Sequence, residues 1–107
     1  MEVKIYKNER GDEPFIIWLD AIKDTYTRLR ISKRLRRIEQ NNLGDVGSVG
    51  DGVYELRIHF GPGFRVYFGY IGKEVILLLI GGDKGSQVRD MQKAKFFWQD
   101  YKRSIIL

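Results

Sequence analysis

Apolar and polar positions alternate most regularly between Tyr54 and Gln87, YELRIHFGPGFRVYFGYIGKEVILLLIGGDKGSQ. In YELRIHF, Leu56, Ile58 and Phe60 alternate with Glu55, Arg57 and His59; in FRVYF, Phe64, Val66 and Phe68 alternate with Arg65 and Tyr67. Period two predicts two strands with one core-facing side each, joined through a turn at Gly61-Pro62-Gly63. VILLLI is apolar at every position and predicts a central strand buried on both faces, with its exit at Gly81-Gly82. Upstream, EVKIYKN alternates around Val3 and Ile5 and reads as a short first strand.

The remaining periodicity is helical. Phe15, Trp18, Leu19 and Ile22 fall at i, i+3, i+4 and i+7, a core-facing stripe, with Asp12 as a plausible N-cap and Pro14 in the first turn, where its missing N–H costs nothing. Asp24 or Thr25 can cap a second helix that runs through TYTRLRISKRLRRIEQNN, buries Ile31, Leu35 and Ile38, and stops near Leu43-Gly44. So short a connection predicts a helical hairpin. From Gly44 to Gly52, GDVGSVGDG reads as a loop. Ser86 can cap a third helix with Val88, Met91, Ala94, Trp98 and Tyr101 on one face and Phe97 near its edge. The final SIIL is either an added sheet edge or a surface segment. The expected architecture is α+β: a mostly antiparallel sheet of about four strands, two N-terminal helices, a C-terminal helix, and the helices on one face. Short turns within the meander disfavour a doubly wound parallel sheet.

Composition narrows the class. A chain of 107 residues, 43% hydrophobic and 13% aromatic, is expected to fold as a single domain over residues 1–107. It contains no cysteine, so disulfides, thiolate metal sites and a thiol nucleophile are excluded, and its one histidine excludes a two-histidine metal site. Neither a secretory leader nor an apolar run near the roughly 18 residues of a membrane span is visible, so a soluble cytoplasmic protein without a membrane partner is expected. The formal charge of +5 and pI near 9.6 point to a polyanionic or acidic partner.

Candidate chemistry follows from these placements. Arg28, Arg30, Lys33, Arg34, Arg36 and Arg37 crowd the second helix with no acid among them, which fits either a solvated face or a phosphate-facing stripe. Arg57, His59, Arg65 and Tyr67 are expected to cluster on a polar, helix-free sheet face, with Asp83, Lys84, Ser86 and Gln87 at its edge. Each also has a plainer reading: exposed ion pairs for Arg57 and Arg65 with Glu55 or another carboxylate, a surface or packing histidine, a cross-strand tyrosine, and loop or first-turn residues for Lys84 and Gln87. As a set they suit phosphodiester transfer within RNA. The 2′-OH is the nucleophile there, and the protein has only to orient it, stabilise phosphoryl charge and move protons. Arginine clamps phosphate but is a poor base, so His59 is the first choice for acid–base work, and Lys84 can stabilise charge or donate a proton. No metal or cofactor is required.

EPFIIWLDAIKD, RLRRIEQNNLGDVGSVGDGVYELRIHFGPGFRVYFGYIG and ILLLIGGDKGSQVRDMQKAKFFWQDYK together cover nearly the whole chain. Through them it resembles the RelE/ParE superfamily of bacterial toxins, and more closely the HigB-like branch of addiction-module killer proteins. The resemblance implies a RelE-like fold and a type II toxin neutralised by a cognate antitoxin. RelE- and HigB-type relatives cut messenger RNA on the ribosome without metal, whereas ParE-type relatives poison DNA gyrase by protein binding. By position, Arg65 matches the family's arginine after the central turn, Arg57 and His59 stand on the strand that supplies basic catalytic residues, and Lys84 stands in the loop that supplies another. These four are the catalytic candidates, and the helix stripe and sheet face make Lys33, Arg34, Arg36, Arg37, Tyr67 and Gln87 the candidates for RNA contact. Where several relatives carry a carboxyl-terminal tyrosine or histidine, the last helix here opens with Gln87 and Arg89. A degenerate toxin that only binds its antitoxin is a third reading.

Overall fold

In the computed structural model, which describes residues 1–106, the alternating segments form β3 (Val53–Ile58) and β4 (Phe64–Ile71), and the apolar run forms β5 (Val75–Gly82). They are preceded by β1 (Glu2–Ile5), α1 (Pro14–Ala21), α2 (Thr25–Glu39) and β2 (Val46–Gly50). A 3-10 turn at Lys84–Ser86 then leads into α3 (Gln87–Ile106). The fold is α+β with five strands in the order β1-β5-β4-β3-β2, antiparallel except where β1 lies parallel to β5.

The fifth strand is a departure from the expected loop at Gly44–Gly52. VGSVG has weak strand preference, but it lies against β3, pairing Val46 with Leu56 and Ser48 with Tyr54, and a bulge falls between Ser48 and Gly50. Pairing supplies what composition does not.

The helices occupy both faces, not one. Phe15 of α1 and Ile31 and Ile38 of α2 pack with Leu56, Ile58, Phe64, Val66, Phe68, Ile76 and Leu78 on one side. Ala94 and Trp98 of α3 pack with Tyr6, Val53, Tyr67, Leu77, Leu79 and Ile80 on the other. Each of these buried aliphatic side chains removes about 1.5–3 kcal/mol worth of apolar surface from water, so a strand as apolar as β5 is stable only with cover on both sides. Trp98 lies flat on Gly69, where a Cβ would come within 2.5 Å of the indole. Glycine at that point lets α3 approach the sheet.

Several local expectations shift. The α1 N-cap is Glu13, without a side-chain bond, rather than Asp12, while Pro14 takes its place in the first turn. Asp24 caps α2 by accepting from Tyr26 N at 3.3 Å, and Thr27 Oγ1 donates to it at 2.7 Å. α2 ends at Glu39, with Asn41 in the left-handed region, so its last predicted residues are turn. α1 rests mainly on β5 and α2 lies towards β1, both helices contacting the sheet more than each other. Asp83, not Ser86, is the residue that caps the chain before α3, accepting from Gly85 N and Ser86 N. Ser86 instead donates its hydroxyl to Asp90. Val88, expected on the buried face, is exposed. Ser104–Ile106 prolong α3 and so form no sheet edge, while Leu107 lies outside the described residues. No helix of the described residues is long and apolar enough to cross a membrane.

Candidate active site at one end of the sheet

The ends of β3 and β5 and the start of β4 meet at one edge, because β3 and β4 are joined by the Gly61-Pro62-Gly63 turn and β4 runs antiparallel to β5. Register sets Arg57 directly opposite Arg65, and Glu55 directly opposite Tyr67. Two like charges in direct register repel. Glu55, only 2% exposed, offsets them: its Oε2 accepts from Arg57 Nε at 3.0 Å and its Oε1 lies 3.2 Å from Arg65 Nε. The same Oε1 accepts from Gln87 Nε2 at 2.9 Å and from the Tyr67 hydroxyl at 3.3 Å. Arg65 Nε is not aligned on that oxygen and is a buried donor without a hydrogen bond among the described residues; its Nη1 donates to Gly63 O at 2.6 Å.

Exposure rises outward along this cluster. Arg65 is 13% exposed and Arg57 34%. Arg57 Nη1 donates to Asp45 Oδ1 at 2.9 Å, and the second Asp45 oxygen lies 2.7 Å from Nε2 of His59, which is 76% exposed. These bonds, His59 first and Arg57 second, hold the Asp45 carboxyl below its ordinary pKa, and Asp45 in turn raises that of Arg57. Burial, then the charge of Glu55, pushes the Tyr67 phenol up. Arg57 reaches Asp45 across β2 because position 47 is glycine: a Cβ there would come within 2.6 Å of Nη2.

Arg57, Arg65, Tyr67 and Gln87 are therefore brought together as expected, but by a buried carboxylate and beneath α3, so this face is not helix-free. Tyr67 is fully buried and does not present its ring outward. Lys84 is exposed on the 3-10 turn, with its Cβ side close to Gly63 at the strand turn. Lys33, Arg36 and Arg37 are exposed on α2, across the sheet from Glu55. Arg34 is turned inward, donating to Leu43 O and, at 3.4 Å, to Asn42 O, so it closes the end of α2. Arg28 likewise folds back to Ile22 O and Thr25. Two residues central to the site were not among the candidates. Glu55 is legible in the sequence as an ion-pair partner for Arg57 and Arg65, but as an exposed one, not as the buried centre of the cluster; Asp45 sits in a glycine-rich loop and carries no spacing signal. A groove of about 740 Å³ between α1, the end of β5 and α3 is lined by Trp18, Gly82, Asp90 and Phe97, and none of Arg57, His59, Arg65 or Lys84 lines it.

The arrangement offers two chemical functions. If His59 donates its Nε2 proton to Asp45, Nδ1 carries the lone pair of a base, in the manner of a carboxylate-oriented imidazole. The guanidinium of Arg57 is oriented by Glu55 and Asp45, and that of Arg65 by Gly63 O beside the Glu55 charge, which suits them to receive charge on phosphoryl oxygens without reorganisation.

No protein-family model matches the chain. A protein of Haemophilus influenzae, described as uncharacterized, is 40% identical over 86 residues, which cover 80% of this chain and 87% of that protein. Identity at that level over most of both chains reflects common descent, and the chain belongs to the same family as this Haemophilus influenzae protein.

Proposed function

We propose that the protein is the toxin of a type II toxin–antitoxin pair, with a RelE-like fold, acting in the cytoplasm as a metal-independent, ribosome-dependent endoribonuclease on messenger RNA. The observation that carries this reading is the His59–Asp45 pair beside two oriented guanidiniums at one sheet end. His59 takes the proton of the 2′-OH as that oxygen attacks the adjacent phosphorus. Arg65 and Arg57 stabilise the phosphoryl oxygens, and Lys84 or a protonated imidazole supplies a proton to the departing 5′ oxygen. A 2′,3′-cyclic phosphate and a 5′-hydroxyl result. The cognate antitoxin is the expected protein partner.

A second reading, inhibition of DNA gyrase by protein binding, draws on the charge balance of the cluster. Glu55 and Asp45 match Arg57 and Arg65 charge for charge, and Tyr67 is buried, a surface suited to a protein contact as well as to phosphate. Brief expression in cells, with messenger RNA 5′ ends mapped and gyrase supercoiling assayed in parallel, separates the two. Codon-phased cleavage that is lost in His59→Gln is expected. The exposure of His59 makes this variant cleaner than Arg65→Ala, which also strands Glu55. Intact transcripts with stalled supercoiling would sink the nuclease reading in favour of gyrase.

A further inference from the structure

On the opposite side of the sheet from Glu55, the residue after His59 takes part in an aromatic and cationic cluster that the proposed chemistry does not use. Phe60 carries the guanidinium of Arg30 over its ring, 4.1 Å from the centroid. Tyr26 stands edge-on to Phe60 with centroids 6.1 Å apart, and Arg30 Nη1 donates to its hydroxyl at 3.3 Å. Phe60 is partly buried against the core, but Tyr26 is 60% exposed and Arg30 is exposed. An exposed tyrosine of this size in contact with a guanidinium offers a flat, cationic, desolvation-ready surface.

The helix continues this surface with charge. Tyr26, Arg30, Lys33 and Arg37 follow at i, i+4, i+7 and i+11 along α2, so they share one side of the helix over about 16 Å at 1.5 Å per residue. From Thr25 to Ile38, α2 contains no acidic residue. Lys33 and Arg37 are exposed, unlike Arg34 and Arg28, which the fold consumes at the helix ends. A stacking surface at one end of an uncompensated cationic track is the combination used for single-stranded nucleic acid: bases stack on aromatic and guanidinium planes while the backbone follows the cations.

We propose that Tyr26, Arg30 and Phe60 form a nucleobase platform for single-stranded RNA, with Lys33 and Arg37 tracking its backbone. The proposal rests on the RNA-directed reading above and extends it, since it places an unstacked base next to the strand end that bears His59. An acidic protein segment is the competing occupant. It would use the cations but gain little from the tyrosine ring.

The full-length chain is titrated with a single-stranded hexaribonucleotide containing 2-aminopurine, following anisotropy and quenching. The controls are a duplex RNA of equal charge and a glutamate-rich peptide. Wild type is expected to bind the single strand, with quenching, more tightly than either control. Tyr26→Ala is expected to weaken binding about tenfold and abolish quenching, Tyr26→Trp to restore both, and Arg30→Ala to reduce both. Tyr26 is exposed, so these variants should unfold at the wild-type temperature, which is checked alongside. Unchanged quenching in Tyr26→Ala, equal affinity for the duplex, or peptide binding with the same tyrosine dependence each overturns the platform. The nuclease reading fails separately: single-strand binding with the expected tyrosine dependence, but no cleavage of messenger RNA on programmed ribosomes, leaves the platform standing and removes the reaction.

Discussion

At the scale of single residues, Glu55 decides how the site is built. It is buried, and its two oxygens meet donors from Arg57, Tyr67 and Gln87 while neutralising Arg65. Replacing such a group leaves the guanidiniums facing each other across β3 and β4 without compensation, and losing one partner of a buried pair costs about 3–5 kcal/mol. Arg57 is one-third exposed, so the expected loss for Glu55→Ala is nearer about 3 kcal/mol, read as a lower urea midpoint at unchanged slope. Glu55→Gln keeps the shape and acceptors for Tyr67 and Gln87 but not the charge, and is expected to fall between the two. Should Glu55→Ala unfold at the wild-type midpoint, the carboxylate is not what holds the arginines. A second residue-scale consequence concerns Asp45. Asp45→Asn is expected to lower the single-turnover cleavage rate alongside His59→Gln without additivity, because both remove one oriented imidazole. Additive losses would separate the two residues into different roles.

At the scale of elements, the basic helix divides into structural and available cations. Arg28 and Arg34 donate to backbone carbonyls at either end of α2, and burial lowers the Arg34 pKa. Lys33 and Arg37 are exposed. Lys33→Glu with Arg37→Glu is expected to weaken ribosome binding by a factor that shrinks as salt rises and to leave the melting temperature unchanged. Arg34→Glu is expected to lower the melting temperature by itself. If the double variant binds ribosomes normally at low salt, the stripe is a solvated face.

The same division explains what the sequence revealed. Phe64, Val66 and Phe68 announced β4 because one side of that strand is apolar throughout, and Ile31 and Ile38 marked the buried side of α2 for the same reason. VGSVG announced nothing, since Gly47 and Gly50 break any alternation and leave no face to recognise, and its strand conformation comes from pairing with β3. Period two also assigned Glu55, Arg57, Arg65 and Tyr67 correctly to one side of the sheet. It carries no information on whether a helix covers that side. A face rich in charge reads as solvated, yet α3 covers part of it, where Glu55 neutralises Arg57 and Arg65.

At the scale of the whole molecule, α3 is held to the sheet by more than Trp98. Tyr6, just beyond β1, donates its hydroxyl to Asp100 of α3, and Tyr67 and Gln87 meet on Glu55. Burial raises the pKa of both phenols, reinforced by Asp100 for Tyr6 and by Glu55 for Tyr67. In the folded state these groups hold their protons above pH 10, where unfolded tyrosines of ordinary pKa near 10 release them. The stability they confer is complete below about pH 10 and is lost as pH rises from there towards the folded values, at no more than about 1.4 kcal/mol per pH unit for each phenol. The part of the tyrosinate absorbance that Tyr6→Phe removes is therefore expected to appear in step with the loss of helical circular dichroism above pH 10, as α3 detaches and the phenol ionises. Tyr6→Phe should cost about 1 kcal/mol at neutral pH, the value of one hydrogen bond, and should make the alkaline decline shallower. A decline parallel to that of wild type would mean that the Tyr6–Asp100 bond adds nothing to the docking of α3, which then depends on its apolar contacts and on the Gln87–Glu55 bond.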